Sequence, residues 1–272
     1  MRAAEPARVA RHTAAMAALV MVAGCAPHVT ELAGPEPALR AERYQAALAG
    51  REARATAVDA QVLLWAEVPP GEKLPGAEGR LLLAAPDAFR LRVASLFGTA
   101  LDLGARGDSL TAYVPSRRRG LSVDAIRDSL GVSRPGSLVC RALAATWRPP
   151  GDAWDHAIAR GGALEVAWQE GEDSLSLAVA NAGLPAWALF SRAAGGGVRV
   201  DYQGWDGSSG VSWPARFVLT DLDGGFRIAC KVSRVRFPGR PDSLRLVVPI
   251  PPGAVPLSVA ELRRTLERMG AL

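Results

Sequence analysis

The chain has 272 residues, of which 49% are hydrophobic and 22% are charged, a mixture that excludes wholesale disorder and a multi-span membrane protein. It contains 32 basic and 27 acidic residues. Three of the basic residues and one of the acidic residues lie in residues 1–24, so the rest of the chain has 29 basic and 26 acidic residues. This near balance argues against a nucleic-acid-binding protein, which would concentrate positive charge on one face.

Residues 1–24 have the pattern of a signal peptide. A basic start precedes an uncharged apolar stretch, residues 14–22, which is too short to span a bilayer. The stretch ends in Val22-Ala23-Gly24-Cys25, which matches the lipobox of bacterial lipoproteins. This pattern predicts that Cys25 is acylated, with chains such as palmitate, and anchors the mature protein in a membrane. An ordinary signal peptide with an incidental cysteine is the alternative.

The residues after Cys25 indicate the membrane and the tether. Ala26 stands where an Asp would hold an enterobacterial lipoprotein at the inner membrane, so we expect a lipid anchor in the outer membrane, on its periplasmic face. Residues 25–35 lack any period and are expected to form a tether of roughly 30 Å when extended. Residues 36–272 are expected to form a single domain.

The first part of this domain predicts a helix followed by strands. Residues 36–55 are rich in helix formers, with Leu39, Tyr44 and Leu48 on one side. The period then changes to two, which is typical of strands with one apolar face. The apolar positions are Phe89, Leu91, Val93, Leu101, Leu103, Leu110, Ala112 and Val114.

Residues 121–147 break this alternation and are interpreted as a helical insertion. Ser122 can cap a first helix, and residues 137–147 place apolar side chains at helical spacing. The apolar sides of this insertion and of residues 36–55 both need a partner of matching size. We therefore predict that both segments cover the concave face of the sheet.

Alternation returns after residue 163 and continues to residue 237. Turns such as Gly195-Gly196-Gly197 and Asp206-Gly207 favour hairpins and an antiparallel sheet. The apolar positions include Leu164, Val166, Trp168, Leu175, Leu177, Val179, Trp187, Leu189, Val198, Val200, Tyr202, Trp213, Phe217 and Leu219.

The end of the chain predicts a bulge and a last helix. The alternation changes phase near Ser233-Arg234, which is typical of a β-bulge in a strongly curved sheet. After a further alternating run at residues 244–248, Ser258 and Glu261 form a capping box that predicts a C-terminal helix over residues 258–270. The fold class is therefore mainly β with helices (α+β).

Cys140 and Cys230 remain once Cys25 is acylated. A disulfide between them is allowed in an oxidising compartment. Because both lie on the apolar side of predicted elements, two buried free thiols are the alternative.

The chemical motifs do not assemble into a catalytic set. Gly107-Asp108-Ser109-Leu110 spells the nucleophile motif of a lipase and esterase family, but the Asp-x-x-His near the C-terminus that would supply the base for the serine is missing. Residues 221–225 lack the further acidic ligands of a calcium loop and are interpreted as a hairpin turn. We therefore expect a protein that is not an enzyme and holds no metal and no cofactor.

Two stretches resemble the LolB-like outer-membrane lipoprotein receptors and their periplasmic carriers, the LolA/LolB-like lipoprotein-binding family. In residues 89–103, FRLRVASLFGTALDL, two strands flank an apolar-Gly-Thr turn. The second stretch comprises VDYQGWD at residues 200–206 and WPARFVLTD at residues 213–221. The order of elements matches from about residue 36 to 237, and the added residues 249–272 depart from the pattern.

The resemblance implies a curved antiparallel sheet that forms an incomplete barrel, closed by a helical lid around an apolar cavity. Such a protein would accept lipoproteins from a soluble periplasmic carrier, hold their acyl chains and assist insertion into the outer membrane. For the three tryptophans of the expected cavity wall, an ordinary core position is the alternative. The expected wall residues are Leu91, Leu103, Leu110, Trp168, Leu177, Trp187, Trp213 and Phe217.

Leu96 and Phe97 lie in the turn before Gly98, where polar residues are usual. The resemblance, aligned on Gly98-Thr99, places Phe97 where LolB-like receptors carry a protruding apolar residue used in delivery to the bilayer. We therefore expect Leu96 and Phe97 to serve membrane or cargo delivery; the alternative is that Phe97 lies under a neighbouring loop. The alternative function is a structural envelope lipoprotein that acts as a scaffold or complex subunit.

Overall fold

A computed structural model describes residues 35–68, 72–73, 76–124, 134–149, 154–160, 163–180, 182–223, 227–239 and 242–262. The predicted signal peptide, the lipidation site and nearly all of the tether lie outside these residues. Two helices are described in full, α1 (Pro35–Arg54) and α2 (Pro135–Ala144), and residues 259–262 form the start of a third. Turns of 3₁₀ type lie at Pro115–Arg117 and Ser243–Leu246. No helix among the described residues is long and apolar enough to cross a membrane.

The strands follow in chain order. They are β1 (Ala57–Val68), β2 (Glu72–Lys73), β3 (Ala77–Ala84), β4 (Ala88–Ser95), β5 (Gly98–Arg106), β6 (Ser109–Val114), β7 (Arg119–Asp124), β8 (His156–Arg160), β9 (Ala163–Glu170), β10 (Asp173–Val179), β11 (Pro185–Ser191), β12 (Gly197–Tyr202), β13 (Trp205–Asp206), β14 (Trp213–Pro214), β15 (Arg216–Asp221), β16 (Arg227–Arg236) and β17 (Val255–Pro256).

Fifteen of the described strands form one sheet in the order β17-β7-β6-β5-β4-β3-β1-β16-β15-β12-β11-β10-β9-β8, with β2 paired to β1. The pairs are antiparallel except that β17 runs parallel to β7. Strands β8 and β17 occupy the two ends, so the described sheet is open and is not a closed barrel. The prediction of a mainly β fold with a large curved antiparallel sheet and few helices is confirmed.

The two faces of this sheet differ in what covers them. On the face that we call the inner face, Val58, Ala60 and Val62 of β1 are buried in one cluster with residues of α1 and α2. Because side chains alternate along a strand, Asp59 and Gln61 belong to the opposite face, which we call the outer face. The core of the molecule therefore lies on the inner face.

Both helices pack on the inner face through their apolar sides. Tyr44 and Leu48 of α1 are fully buried there, and Cys140 and Leu143 of α2 are buried beside them. This packing follows from the need to remove each amphipathic stripe from water.

The first part of the predicted helical insertion is wrong. Residues 121–124 belong to β7, where Leu121 pairs with Ala112 of β6, and residues 125–133 lie outside the described residues. Leu121 and Val123 are two apart, and a run this short does not distinguish a strand from the start of a helix.

Strand β16 contains the predicted bulge. Asp59 pairs with Arg236 whereas Gln61 pairs with Ser233, so β16 has one residue more than β1 over this stretch. Arg234 adopts a positive φ of 50° at this point. Such a bulge increases the local twist of a sheet, which fits the curvature predicted from the phase change.

After β16 the chain crosses the outer face in a segment, residues 242–250, that we call the strap. The alternating run at residues 244–248 does not form a strand, because Ser243–Leu246 form a 3₁₀ turn. A Cβ atom at Gly104 would lie 2.9 Å from Cγ2 of Val248, and one at Gly120 would lie 2.7 Å from Cγ2 of Ile250. These two glycines therefore allow the strap to lie directly on the strands.

The C-terminal residues return to the inner face. The predicted capping box is present: the Ser258 amide donates to the Glu261 carboxylate (2.9 Å), and the Glu261 amide donates to Ser258 Oγ (3.2 Å). Leu257 and Leu262 pack in a second inner-face cluster with Val93 and Leu101. Residues 263–270 of the predicted C-terminal helix lie outside the described residues.

Candidate functional site

The inner face is filled unevenly. Toward strands β9–β11, Leu175 and Leu177 are fully buried in the cluster that contains α1. Toward β1, β4 and β5, Leu64, Leu91 and Leu103 are only half-buried, and they border both inner-face clusters. This region is an apolar surface between the helices and the C-terminal residues. We call Leu64, Leu91, Leu103 and the nearby half-buried Leu110 the leucine stripe.

The sheet register explains the leucine stripe. Leu91 of β4 pairs with Leu103 of β5, and Leu110 of β6 pairs with Ala105 of β5. Paired residues of neighbouring strands share a face, so these side chains form one continuous apolar surface. Helix α2 packs across the same three strands. An acyl chain lying along this surface would contact hydrocarbon side chains.

A buried polar network connects α1 to the residues after α2. The indole N–H of Trp147 donates to the Tyr202 hydroxyl (2.7 Å), which donates to the Ala142 carbonyl (2.7 Å). The Tyr44 hydroxyl of α1 donates to the Trp147 carbonyl. Burial raises the pKa of both Tyr44 and Tyr202, so both hydroxyls stay protonated and serve as donors.

Arg51 extends this network as a buried cation. It is 3% exposed, and its Nη2 donates to the Ala145 carbonyl (3.3 Å) at the C-terminal end of α2. Burial lowers the pKa of Arg51, while the partial negative charge of a helix C-terminus favours a cation there. The guanidinium carbon also lies 5.5 Å from the ring centre of Trp205. The network therefore holds α1 and α2 together over the sheet.

The predicted wall residues, except for Trp187, lie on the inner face. Leu91, Leu103 and Leu110 are half-buried in the leucine stripe. The more deeply placed residues are at most 2% exposed and pack in the large cluster, which is the ordinary core position that was the alternative for the tryptophans. These residues are Trp168, Leu177, Trp213 and Phe217.

The prediction that Trp187 lines the cavity is wrong. Trp187 pairs with Asp201 on the outer face, and the guanidinium carbon of Arg199 lies 4.8 Å from its ring centre. Its neighbour Ala188 is fully buried on the inner face instead. The side chains on both faces of β11 are mostly apolar, so the alternation of apolar and polar residues could not predict which face is buried.

Leu96 and Phe97 form the tip of the β4–β5 hairpin, which we call the apolar tip. They are 97% and 99% exposed, so Phe97 does not lie under a neighbouring loop. Ser95 Oγ accepts from the Phe97 amide (3.3 Å) and donates to the Gly98 carbonyl (3.2 Å). Gly98 adopts a φ of 121°, which a side chain would disfavour. The turn therefore holds two large apolar side chains in water.

Cys140 and Cys230 are buried free thiols, so the disulfide that the sequence allowed is not formed. Cys140 Sγ on α2 donates to the Ala88 carbonyl of β4 (3.2 Å), whereas Cys230 lies on β16 opposite Phe217. Burial raises the pKa of each thiol to about 12. Both therefore remain protonated at neutral pH, which suits a packing role.

Sequence reasoning missed a charged groove of 860 Å³ on the outer face, across β16, β1, β3 and β4. Most of its side chains come from β1, β3 and β4, which are close in sequence, and from β16, which is distant from them in sequence. The only local signal is the group of cations Lys231, Arg234 and Arg236 around the bulge.

No protein-family model matches the chain, and no curated protein matches its sequence. A LolA superfamily protein from Nitrosomonas europaea superposes with a TM-score of 0.52 and 15% identity, covering 75% of this chain and 97% of that one. A DUF1329 family protein from Desulfovibrio piger superposes with a TM-score of 0.50 and 10% identity, covering 76% and 98%. The chain has a LolA-like fold.

A domain from Vibrio parahaemolyticus, named for outer membrane lipoprotein sorting, superposes with a TM-score of 0.49 and 11% identity, covering 76% of this chain and 97% of that one.

In the LolA-like fold of this chain, the leucine stripe and both helices share the inner face. The apolar tip lies at one end of the same strands, because β4 and β5 contribute to both.

Proposed function

We propose that the protein is a LolB-like lipoprotein, anchored in the outer membrane through Cys25, that binds acyl chains of lipids or lipoproteins and assists their insertion into that membrane. The observation that carries the proposal is the apolar tip, whose two large side chains are almost fully exposed. Transfer of adjacent exposed apolar side chains from water into an apolar environment lowers the free energy. Exposed apolar patches of this kind are typical of surfaces that contact membranes.

The inner face supports the acyl-binding part of the proposal. The leucine stripe offers hydrocarbon contacts to an acyl chain, and α1 and α2 act as a helical lid that limits access of water. Release of cargo from the stripe to the bilayer would occur along β4 and β5, which connect the stripe to the apolar tip. No covalent step is required, and a soluble periplasmic carrier would supply the cargo.

The delivery step is tested by Phe97→Glu, with Leu244→Glu as the matched control. Leu244 is 82% exposed on the strap, so both variants put a charge at an exposed apolar site. We expect each to stay within about 0.5 kcal/mol of the wild-type stability. Burying a phenylalanine side chain contributes about 1.5–3 kcal/mol, so Phe97→Glu should slow transfer about tenfold or more. The measurement is transfer of a fluorescent triacylated lipopeptide from the preloaded protein to vesicles.

Transfer by Phe97→Glu at the wild-type rate would contradict the delivery role. So would an equal loss in Leu244→Glu, because the strap would then matter as much as the tip.

A second candidate function, a structural scaffold or complex subunit of the envelope, is favoured by the dense packing around Trp147, Trp168 and Trp213. Mass spectrometry of the protein extracted from membranes under native conditions separates the two. Bound acyl species would support carriage of lipid or lipoprotein. A protein without bound lipid, which also fails to take up the lipopeptide, would favour the scaffold.

A further inference from the structure

The outer-face groove reaches the apolar tip. Its wall is formed by β16, β1, β3 and β4, and its end is lined by Ser95, Gly98 and Thr99, which flank Leu96 and Phe97. The groove and the tip therefore form one continuous surface, separate from the inner face that holds the leucine stripe.

Positive charge is concentrated in this groove. Five cationic and two acidic side chains line it, an excess of three. Residues 25–272 as a whole also have an excess of three, 29 basic against 26 acidic residues. The groove thus contains as much excess positive charge as the whole chain after residue 24. The cations are Arg80, Arg92, Lys231, Arg234 and Arg236, and the acids are Asp59 and Glu78.

The carboxylate of Asp59 is already paired with arginine side chains of this protein. Arg80 donates to both of its carboxylate oxygens, at 2.8 and 2.5 Å, and Arg245 approaches to 3.6 Å. The hydrogen bond from Arg80 is the main cause that lowers the pKa of Asp59. Lys231 and Arg234 are exposed and make no ion pair with a described residue. Their charge is therefore available to an external anion.

The groove cations lie close enough to the tip to interact electrostatically with a membrane surface that the tip enters. Arg92 is five residues from Phe97, roughly 17 Å along the hairpin at about 3.3 Å per residue. The headgroup layer on each side of the hydrocarbon core is roughly 5–8 Å thick. With Phe97 inserted at the hydrocarbon boundary and the hairpin upright, Arg92 would lie roughly 10 Å beyond the headgroup layer, which is about one Debye length at an ionic strength of about 0.1 M.

We propose that the outer-face groove docks the protein on the phosphate headgroups of an anionic membrane surface and so orients the apolar tip toward the bilayer. The proposal rests on the proposed function, because the tip is the part that it orients. An apolar insertion combined with several cations binds an anionic surface more strongly than either alone. Each cation near such a surface strengthens binding roughly fivefold.

The test uses the mature chain with Cys25→Ala, which contains every described residue but cannot be acylated. Binding is measured by flotation with vesicles of phosphatidylcholine alone or mixed with phosphatidylglycerol, at low and high salt. The groove variant is Lys231→Glu with Arg234→Glu. The matched control is Arg43→Glu with Arg106→Glu, which changes the net charge equally at exposed sites outside the groove.

We expect the unsubstituted chain to bind mixed vesicles at least tenfold more tightly than neutral vesicles, and high salt to remove this preference. The groove variant should lose the preference, and the charge-matched control should keep it. Circular dichroism verifies that both are folded. Equal binding by the groove variant and the control would overturn the proposal, including the case in which the groove instead binds an acidic protein.

Leu96→Ser with Phe97→Ser separates this proposal from the proposed function. The tip variant should bind both kinds of vesicle more weakly but keep its preference for the anionic ones. Transfer of the lipopeptide by the tip variant at the wild-type rate, together with loss of the preference for anionic vesicles in the groove variant, would contradict the delivery function and support the docking surface. If only the tip variant changes vesicle binding, the docking surface fails and the delivery function stands.

Discussion

Tyr202 connects three parts of the core through one hydroxyl group. This hydroxyl accepts from the Trp147 indole N–H and donates its O–H to the Ala142 carbonyl, beneath α1 and beside the C-terminal end of α2. A buried polar group without a partner is costly, whereas the net gain from a satisfied one is small. The main effect of this hydroxyl is therefore to disfavour other arrangements of these segments, in which its partners would lack a hydrogen bond, and its net contribution to stability is small.

Tyr202→Phe should lower the free energy of unfolding by about 1–3 kcal/mol, because it leaves the Trp147 N–H and the Ala142 carbonyl unpaired. Urea unfolding followed by tryptophan fluorescence measures this difference. The control is Tyr113→Phe, since the Tyr113 hydroxyl makes no hydrogen bond with a described residue; its effect should stay within about 0.5 kcal/mol. Equal stabilities for the two variants would show that the network is dispensable.

The buried cysteines give a second prediction at the residue scale. Because burial raises the pKa of Cys140 and of Cys230 to about 12, the folded protein should react very slowly with Ellman's reagent at neutral pH. After unfolding in urea without reductant, both thiols should react. Rapid reaction of the folded chain, or none after unfolding, would contradict buried free thiols.

At the scale of elements, the C-terminal segment closes one end of the sheet. After the strap, β17 pairs with β7, and Arg119 of β7 makes a two-point ion pair with Glu261 at 2.6 and 2.9 Å. An open edge strand would otherwise expose unpaired backbone groups. The residues that depart from the LolB-like pattern thus cover an edge and place Leu257 and Leu262 on the inner face.

Glu261→Gln tests this closure through pH. The hydrogen bond from Arg119, together with those from Ser258, lowers the pKa of Glu261 from 4.5 to about 2. A carboxylate with a lowered folded-state pKa stabilises the fold above the unfolded value and loses this effect as pH falls through the folded value. We therefore expect Glu261→Gln to lower Tm at pH 7, and the difference from wild type to vanish between about pH 4.5 and 2.

Circular dichroism at each pH measures the two Tm values. Glu172→Gln, at an exposed glutamate in the β9–β10 turn, is the control and should match wild type throughout. A Glu261→Gln difference that does not change with pH would show that the charge of Glu261 is not what stabilises the closure.

At the scale of the whole molecule, the sheet separates two surfaces of different chemistry. The inner face carries the core and the leucine stripe, and the outer face carries the charged groove. The apolar tip extends from strands that belong to both. If Cys25 is acylated as predicted, the expected tether of about ten residues would let the tip reach the membrane that holds the anchor.

Cys25→Ser tests the predicted anchor. We expect wild type to incorporate radiolabelled palmitate and to fractionate with outer membranes. Cys25→Ser should incorporate none, because a serine hydroxyl cannot replace the thiol that receives the diacylglycerol. Equal labelling of both chains would show that Cys25 is not the lipidation site.

Several features were predictable from the sequence because each depends on neighbouring residues. Alternation predicted the strands around Leu91, Leu103 and Leu177, because a strand with one buried face alternates apolar and polar residues. The phase change predicted the bulge at Ser233-Arg234. The apolar turn drew attention to Phe97, but only the structure decided that its side chain is exposed and does not lie under a neighbouring loop. Alternation failed where both phases are apolar, as at Trp187, or where the run is too short, as at residues 121–124.

The sequence by itself determined the mainly β class, the antiparallel hairpins, the amphipathic helix α1 and the capping box at Ser258, because local periodicity and turn chemistry encode these features. Only the tertiary structure decided that Trp187 lies on the outer face and that residues 244–248 form part of a strap. It alone brought Arg80, Arg92 and Lys231 into one groove. Strand register and the order of strands bring together residues far apart in the chain, and no local pattern specifies which strands become neighbours.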